Sequence, residues 1–456
     1  MVEIRRFTND FKRRKRLWIG TRGLLIFSKV LLIGVFVLYC WYIYSFVWAE
    51  HATRRVVIND SDNMLPRVLA FVFPQFHEDS LNNALWGDGF TDWDNLKRSP
   101  SKNRFGYLIP RPTELGYYDY RDTETRRKQG ELAKEFGIDG FIFHHYWFYD
   151  DEHPGPNLQA PLIEMLSDGY PDLPFAIHWC ASKWTDNWSG TVRKDFVFKE
   201  PNVIQHQYFP EDDSEGKISE HYNWLKQFFH HPNYIKVHGS PVLMIYQKKP
   251  SSFPVLRKMR ELAKADGFPG IYITCGLTKP HEDLLDIGDS KKYIKQSQKM
   301  RVALSKNIFD KVLSYPNPAS WNVNRTLEIP NWCVGDMKKT HHHKRPPDIA
   351  GIISSFDNTP RRNFEEANVW SLGPPKVVLE MFRKSLRSAL YYESCCFPED
   401  DRKNVLKEDD DRFVVINAMN EWAEGMALEP SDVFGSQFLE IIRDTKQEIL
   451  THQCNL

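Results

Sequence analysis

The sequence predicts an α/β fold, namely a (β/α)8, TIM-like barrel that is preceded by a single N-terminal transmembrane helix. Three observations carry this prediction: an uncharged apolar segment near the N-terminus, eight short apolar runs after it, and helical patterns between most of those runs. Long uncharged segments are typical of membrane-spanning helices, and strands that alternate with helices are typical of parallel α/β sheets. A chain of 456 residues is long enough for one large domain.

The charge distribution separates the N-terminus from the rest of the chain. The 60 basic and 60 acidic residues give a formal net charge of zero, yet residues 1–29 hold nine basic and two acidic residues. The remainder therefore has an acidic excess. Because a nucleic-acid-binding surface needs clustered basic residues, the large body is not expected to bind nucleic acid.

Residues 30–49 form an uncharged segment that is long enough to cross about 30 Å of hydrocarbon as a helix. The basic cluster lies upstream, so the positive-inside rule places the N-terminus in the cytosol. The predicted divisions are a cytosolic tail (1–29), a type II membrane anchor (30–49), a stem (50–66) and a luminal domain (67–456). A cleaved signal peptide or a buried core helix is the alternative, but a signal core is shorter, at about 7–15 residues.

This orientation predicts a membrane of the secretory pathway, such as the Golgi, with the large domain in the lumen. Three N-x-S/T triplets, at Asn59, Asn187 and Asn324, are compatible with that location. The cysteines that follow the anchor allow up to three disulfide bridges, and the sequence does not define their pairing.

Eight apolar runs predict the strands of the barrel. Several are nearly continuous, as expected of parallel strands that are buried on both faces. The runs cover residues 67–73, 141–148, 174–179, 241–246, 270–277, 309–315, 349–356 and 412–419. A doubly wound open sheet is the alternative arrangement of the same elements.

Helical patterns separate most of these runs. The pattern at 123–136 ends at Gly137, as expected of a residue that easily adopts the left-handed conformation after a helix. The other predicted helices cover 219–229, 252–265, 376–391 and 436–450. Two polar segments, 338–347 with its three histidines and 399–412 with its run of charges, are predicted to be loops.

Residues that follow the strands of such a barrel line its active site. Indoles, carboxylates and amides collect at these positions and predict a sugar site, since aromatic rings stack on sugars while acids and amides bind their hydroxyl groups. The candidates are His77, His145, Trp147, Trp179, Trp184, Asp357, Arg361, Asn420, Trp422 and Glu429. Each has a structural alternative, such as a core aromatic or an ion pair of Asp357 with Arg361 or Arg362 that fixes a loop.

Glu421 and Glu424 are the predicted catalytic residues. Two acids placed three residues apart, directly after an apolar strand, would be costly to bury without a role. Glycosyl chemistry uses such a pair, because one carboxyl group protonates the leaving oxygen while the other acts in its ionised form. No metal or cofactor is predicted, since the three histidines at 341–343 lack the spacing of a ligand set.

Several motifs together resemble a known group of proteins. They are FVFPQFHEDSLNNALWGDGFTDWDN (71–95), ELAKEFGIDGFIFHHYWF (131–148), FDNTPRR (356–362) and NEWAEGMALEP (420–430). These motifs are similar to the WbsX-type glycosyltransferase family, whose domain is similar to the endo-α-mannosidases of glycoside hydrolase family 99. The resemblance covers about residues 67–450.

The resemblance implies a (β/α)8 barrel and adds Trp86, Asp92 and Trp93 to the substrate-binding residues. It also implies that Glu421 helps to deprotonate the 2-hydroxyl group of the sugar, which then attacks the anomeric carbon and gives an anhydrosugar. Glu424 would be the general acid and then the base for incoming water. This scheme retains the configuration and requires no metal.

Three functions remain open for a chain that acts on a glycan or glycoprotein. The first is a glycosidase that cleaves an α-mannosidic or related bond. The second is a glycosyltransferase, as the family name implies, although no D-x-D motif stands at a strand end. The third is a non-catalytic glycan-binding protein, which is favoured by a departure from the family pattern at residues 181–183.

Overall fold

The computed structural model describes residues 65–185, 202–246, 250–276, 310–314, 349–371, 373–395 and 412–452. Within them it shows a mixed α/β fold that is built on a parallel sheet. The predicted tail, the anchor, most of the stem, the three N-x-S/T triplets and the histidine-rich segment lie outside the described residues. Among the helices that are described, none has both the length and the apolar character to cross a membrane.

Eight strands of the sheet coincide with the eight predicted runs. They are β1 (Arg67–Val72), β2 (Gly140–Phe148), β3 (Phe175–Trp179), β4 (Ser240–Ile245), β5 (Tyr272–Gly276), β6 (Lys311–Ser314), β7 (Ile349–Ile353) and β8 (Phe413–Asn417). Each strand pairs in parallel with the next, and β8 pairs in parallel with β1. The sheet therefore closes into a ring, which excludes the open sheet.

The described helices surround these strands. They are α1 (Ser80–Trp86), α2 (Asp92–Arg98), α3 (Thr123–Glu135), α4 (Ala160–Asp168), α5 (Lys217–Phe229), α6 (Phe253–Ala265), α7 (Pro375–Cys395) and α8 (Gln437–His452). The side chain of Asp122 caps the start of α3 by accepting the backbone N–H of Thr125 at 2.9 Å. Gly137 follows its end with φ of +82°, as predicted.

Short elements extend the strand ends and form the loops around the site. The short strands are Gly155–Asn157, Trp184–Thr185, Val203–Gln205, Lys236–Val237, Asn420–Glu421 and Met426–Ala427, and the 3-10 turns are Pro250–Ser252, Thr359–Arg361 and Trp422–Glu424. They were not predicted from the sequence, because two or three residues carry no detectable period.

Alternate residues of the strands pack into two different cores. Leu69 and Phe71 of β1 belong to a cluster that is formed almost entirely by strand residues. Val68 and Ala70 belong to a larger cluster that includes residues of the helices. Since successive side chains point to opposite faces of a strand, both faces of the sheet are buried. This double burial explains why the strands are nearly continuous apolar runs.

Two cysteines lie in the core of the described structure. Cys180 and Cys275 are both buried, and both are in the reduced form. Neither therefore forms one of the disulfide bridges that the sequence allowed.

Candidate active site

Three carboxylates and one guanidinium group meet near the ends of β1, β7 and β8. Asp92 is the first residue of α2, in the segment after β1. Arg361 ends a 3-10 turn after β7. Glu421 lies just after β8, and Glu424 ends the 3-10 turn that follows. We call these four residues the carboxylate cluster.

The guanidinium group of Arg361 contacts all three carboxylates. Its Nη2 lies 2.6 Å from Oδ2 of Asp92, and its Nε lies 3.2 Å from Oδ1 of the same residue. Nη2 also lies 2.6 Å from Oε1 of Glu421, while Nη1 lies 2.9 Å from Oε1 of Glu424. The guanidinium carbon is 5.0 Å from the ring centre of Phe73. This geometry fixes the two candidate catalytic carboxylates relative to each other.

Burial and charge both oppose the ionisation of Glu421. Its side chain is 8% exposed and that of Asp92 is 0% exposed, whereas Glu424 is 27% exposed. Burial is the largest influence and raises the pKa of Glu421 to about 8; Arg361 opposes this shift, while Glu424 and Asp92 add to it. One cation cannot neutralise three anions in a site that is poor in water. Glu421 therefore holds a proton near neutral pH.

The turn that carries Glu424 is attached to the loop after β7. The backbone N–H of Asp357 donates to the carbonyl oxygen of Glu424 at 2.8 Å, and the Ser355 hydroxyl donates to the carbonyl oxygen of Gly425. Gly425 has φ of +67°, and a β-carbon there would lie 3.0 Å from the backbone nitrogen of Asp357. Glycine is required here by both the conformation and the close approach.

Asp357 and Asn420 are buried residues that connect loops. Asp357 Oδ1 accepts the backbone N–H of Thr359 at 2.9 Å, and its Oδ2 accepts the amide of Asn103 at 2.8 Å. Asn420 accepts the backbone N–H of Phe73 at 2.8 Å and donates to the carbonyl oxygen of Phe73 at 3.0 Å. These contacts engage both side chains within the protein, which favours a structural role over the predicted contact with a sugar.

Glu429 occupies a separate buried polar site. Its carboxylate accepts hydrogen bonds from Trp422 Nε1 at 2.7 Å, Gln129 Nε2 at 2.6 Å and the Tyr118 hydroxyl at 3.1 Å. Burial raises its pKa to about 7, although these three donors lower it. Its partners are therefore protein groups, and its placement favours a structural role.

Most of the predicted stacking tryptophans are buried in the core. Those that are 3% exposed or less are Trp93, Trp147, Trp179 and Trp422. A ring that stacks on a sugar needs an open face, so this burial does not support the predicted stacking role. Trp86 and Trp184 are partly exposed, and they remain candidates for it.

The two histidines among the predicted binding residues are also buried. His77 is 1% exposed, and its Nδ1 lies 2.8 Å from the carbonyl oxygen of Pro74. His145 is 1% exposed, its Nε2 lies 3.0 Å from Nε2 of His221, and its ring stacks on Trp224 at 4.3 Å. Their burial does not support direct contact with a sugar.

Several residues near the carboxylate cluster escaped the sequence prediction. Burial raises the pKa of Cys180, and the charge of Glu421 adds to this shift. Burial, followed by the charge of Glu424, raises the pKa of Tyr246 to about 12. Both residues therefore lie within electrostatic reach of the cluster. Only the register of β3 and β4 with their neighbours could have placed them there, because neither residue type is diagnostic alone.

The profile of the family described as glycosyltransferase WbsX matches residues 68–442. A protein described as uncharacterized protein WxcX, from two strains of Xanthomonas campestris pv. campestris, is 27% identical over 398 residues. That alignment covers 83% of this chain and 49% of WxcX. The chain thus spans about half the length of the curated relatives that it matches.

Two solved structures are distantly similar. A glycoside hydrolase-like protein has a TM-score of 0.47 at 14% identity, with 84% of this chain and 94% of that chain covered. The GH99 endo-alpha-mannosidase from Bacteroides thetaiotaomicron has a TM-score of 0.43 at 14% identity, with 87% and 99% covered. The family profile spans nearly all of the described body, so the chain belongs to the glycosyltransferase WbsX family, a family of carbohydrate-active enzymes.

Proposed function

We propose that the chain is a membrane-anchored glycosidase of the secretory pathway, which cleaves an α-mannoside-type or related glycan linkage with retention of configuration. The observation that carries this proposal is the carboxylate cluster, in which Arg361 holds Glu421 and Glu424 at the mouth of the ring. Paired carboxylates that share a proton are the machinery of glycoside hydrolysis.

The proposed reaction has two steps. Glu421 takes the proton of the sugar 2-hydroxyl, whose oxygen attacks the anomeric carbon, while Glu424 gives its proton to the leaving oxygen. Glu424 then takes a proton from water as that water opens the anhydrosugar at the anomeric carbon, and Glu421 returns its proton to the 2-oxygen. Two inversions at one carbon give net retention.

The protonation state of Glu421 favours a second assignment of the same two roles. A pKa of about 8 means that Glu421 carries a proton at neutral pH in the free chain. Glu424 is the more exposed of the two carboxylates. In this second assignment Glu421 is the general acid and Glu424 is the base, and the reaction class stays the same.

Variants tested on two kinds of substrate separate these assignments. A glycan library identifies the cleaved linkage, and an aryl glycoside of that sugar supplies a leaving group that needs no protonation. A general-acid variant keeps turnover of the aryl glycoside and loses the natural glycan, whereas a base variant loses both. Glu421→Gln and Glu424→Gln are compared with the exposed control Glu366→Gln. Full turnover in both cluster variants contradicts the proposal.

Glycosyl transfer is the second candidate function, and the description of the family favours it. The same library is incubated with and without nucleotide sugars. Products that form without a donor support hydrolysis, and products that form only with a donor support transfer. Glycan binding with no product in either case supports the non-catalytic alternative.

The membrane location rests on residues 1–29 and 30–49 of the sequence. We expect a cytosolic N-terminus and a luminal body, with glycans on sequons such as Asn324. Protease protection of the body in intact microsomes and a mobility shift after deglycosylation test this location. A body that protease digests in intact vesicles, without a mobility shift, contradicts it.

A further inference from the structure

A second polar cluster lies on β2 and at the end of β3. His144 and His178 are paired residues of these neighbouring parallel strands. Cys180 follows β3 directly, two positions after His178. One nitrogen or sulfur atom from each of the three residues lies within 4.8 Å of the others. His178 and Cys180 are buried, and His144 is partly exposed.

One imidazole of this cluster has a nitrogen without a partner in the part of the chain that the structure describes. The Nδ1 of His144 is buried and has no hydrogen-bond partner among the described residues. A buried polar atom without a partner costs about 1–3 kcal/mol. An imidazole nitrogen without a hydrogen-bond partner, such as this Nδ1, can coordinate a metal ion.

The third residue provides sulfur. The Sγ of Cys180 lies 3.7 Å from Nδ1 of His178. The hydroxyl of Tyr146 also hydrogen-bonds this sulfur. Sets of thiolate and imidazole ligands select zinc and other borderline or soft ions over magnesium and calcium.

We propose that His144, His178 and Cys180 bind one zinc-class divalent ion, with a fourth coordination position left open. Zn–N bonds of ~2.0 Å and Zn–S bonds of ~2.3 Å place tetrahedral ligand atoms about 3.5 Å apart. Separations of up to 4.8 Å close with side-chain movements on the order of 1 Å. Binding releases the thiol proton of Cys180 to solvent.

The open position gives the site a chemical use. Three protein ligands with one free position are typical of metal sites that meet water or substrate. Here the free position would take a water molecule or a sugar hydroxyl, since Glu421 lies within electrostatic reach of Cys180. The chain would thus have a second means of orienting a sugar, carried by β2 and β3. Metal binding is measured without turnover, so its outcome is independent of the proposed glycosidase function.

Cobalt(II) binding tests the site directly. The purified 456-residue chain is stripped of metal with a chelator and titrated with Co2+, which takes zinc sites and gives a thiolate charge-transfer absorption band. We expect one Co2+ per chain to give this band, and Zn2+ to displace it. Cys180→Ser should abolish the band, and His178→Gln should weaken binding at least about tenfold, while Cys275→Ser, at the other described buried thiol, should leave the band unchanged.

A wild-type chain that binds no Co2+ overturns the proposal, and so does a band that survives in Cys180→Ser. If Cys180→Ser does not fold, thermal unfolding decides. Zn2+ should raise the Tm of the wild-type chain and of Cys275→Ser, but not that of His178→Gln. An equal rise in Tm for His178→Gln contradicts the site.

Discussion

Glu421 and Glu429 lie on the same stretch of chain after β8, and burial raises the pKa of both. Their partners differ. Glu421 contacts the guanidinium group of Arg361, a cation that it shares with two other carboxylates. Glu429 accepts hydrogen bonds from three neutral groups, an indole, an amide and a phenol.

This difference separates a carboxylate that builds the fold from one that is suited to chemistry. Neutral donors of the protein occupy the acceptor positions of Glu429. Its carboxylate is therefore suited to hold these groups in place rather than to exchange a proton with a substrate. The cluster around Glu421 keeps an excess of negative charge and holds a proton close to a second carboxylate. Such a pair can give and take protons in turn, which glycoside hydrolysis requires.

Glu421→Gln should have the largest effect on activity. Loss of a general acid or base lowers kcat by about 10²–10⁴-fold. The free energy of unfolding at neutral pH should change little, because the neutral amide replaces a carboxyl group that already holds a proton there. Steady-state kinetics on the identified glycan and urea unfolding measure the two effects. An unchanged kcat would remove Glu421 from the catalytic pair.

Arg361→Met should have the largest effect on stability. It leaves buried carboxylates without their cation, and removing one partner of a buried ion pair costs about 3–5 kcal/mol. The control Arg98→Met, at an exposed position, should change the free energy of unfolding by less than about 0.5 kcal/mol. Adding Glu421→Gln to Arg361→Met should restore part of the loss. If the double variant is less stable than the single one, charge repulsion is not the cause.

Glu429→Gln should lower stability and leave kcat unchanged, which is the reverse of the effect of Glu421→Gln. Its new amide N–H group would face donors such as Gln129 and Trp422, so one buried donor loses its acceptor, at a cost of about 1–3 kcal/mol. The kcat of the folded fraction should be unchanged. Chemical unfolding and kinetics at matched folded concentration measure both quantities. A large fall in kcat without loss of stability would give Glu429 a role in the reaction.

The pH dependence of stability should distinguish the same two residues. Both glutamates bind a proton more tightly in the folded chain than at their ordinary pKa of 4.5. The free energy of unfolding therefore falls as pH rises, by up to about 1.4 kcal/mol per pH unit for each group. The contribution of Glu429 to this slope ends near pH 7, and that of Glu421 ends near pH 8.

A plot of the free energy of unfolding against pH, from pH 5 to 9, should thus lose its slope in a different range for each variant. Glu421→Gln should lose the slope between about pH 7 and 8, and Glu429→Gln should lose part of the slope below about pH 7. A wild-type chain whose stability rises with pH over this range would contradict both raised pKa values.

The strands and the longer helices could be predicted because burial on known faces leaves a period in the sequence. Strands buried on both sides appear as continuous apolar runs, and Gly137 marks the end of α3. The short helices α1 and α2 leave no such period. Trp93 of α2 is held by a hydrogen bond to the carbonyl oxygen of Tyr118, a contact that no local pattern indicates.

The sequence could predict which residues lie at the candidate site, but not which of them contact each other. Asp92, Arg361, Glu421 and Glu424 are all predicted site residues, and the structure brings them together. The sequence suggested Arg361 or Arg362 as the partner of Asp357, whereas the pairing of Arg361 with Asp92, from the segment after β1, was not foreseen. The direction of each side chain could not be predicted either, because a residue that follows a strand points into the site or away from it according to the local backbone.

The hydrogen bonds between Phe73 and Asn420 join residues that are 347 positions apart in the chain. At translation rates of about 5–20 residues per second, the first partner waits roughly 20–70 s for the second. Until then the ring is open, and Arg361 has no Glu421 to hold. Under the proposed function, a newly made chain therefore has no hydrolytic activity until its last strand joins its first, so that activity would report completed folding.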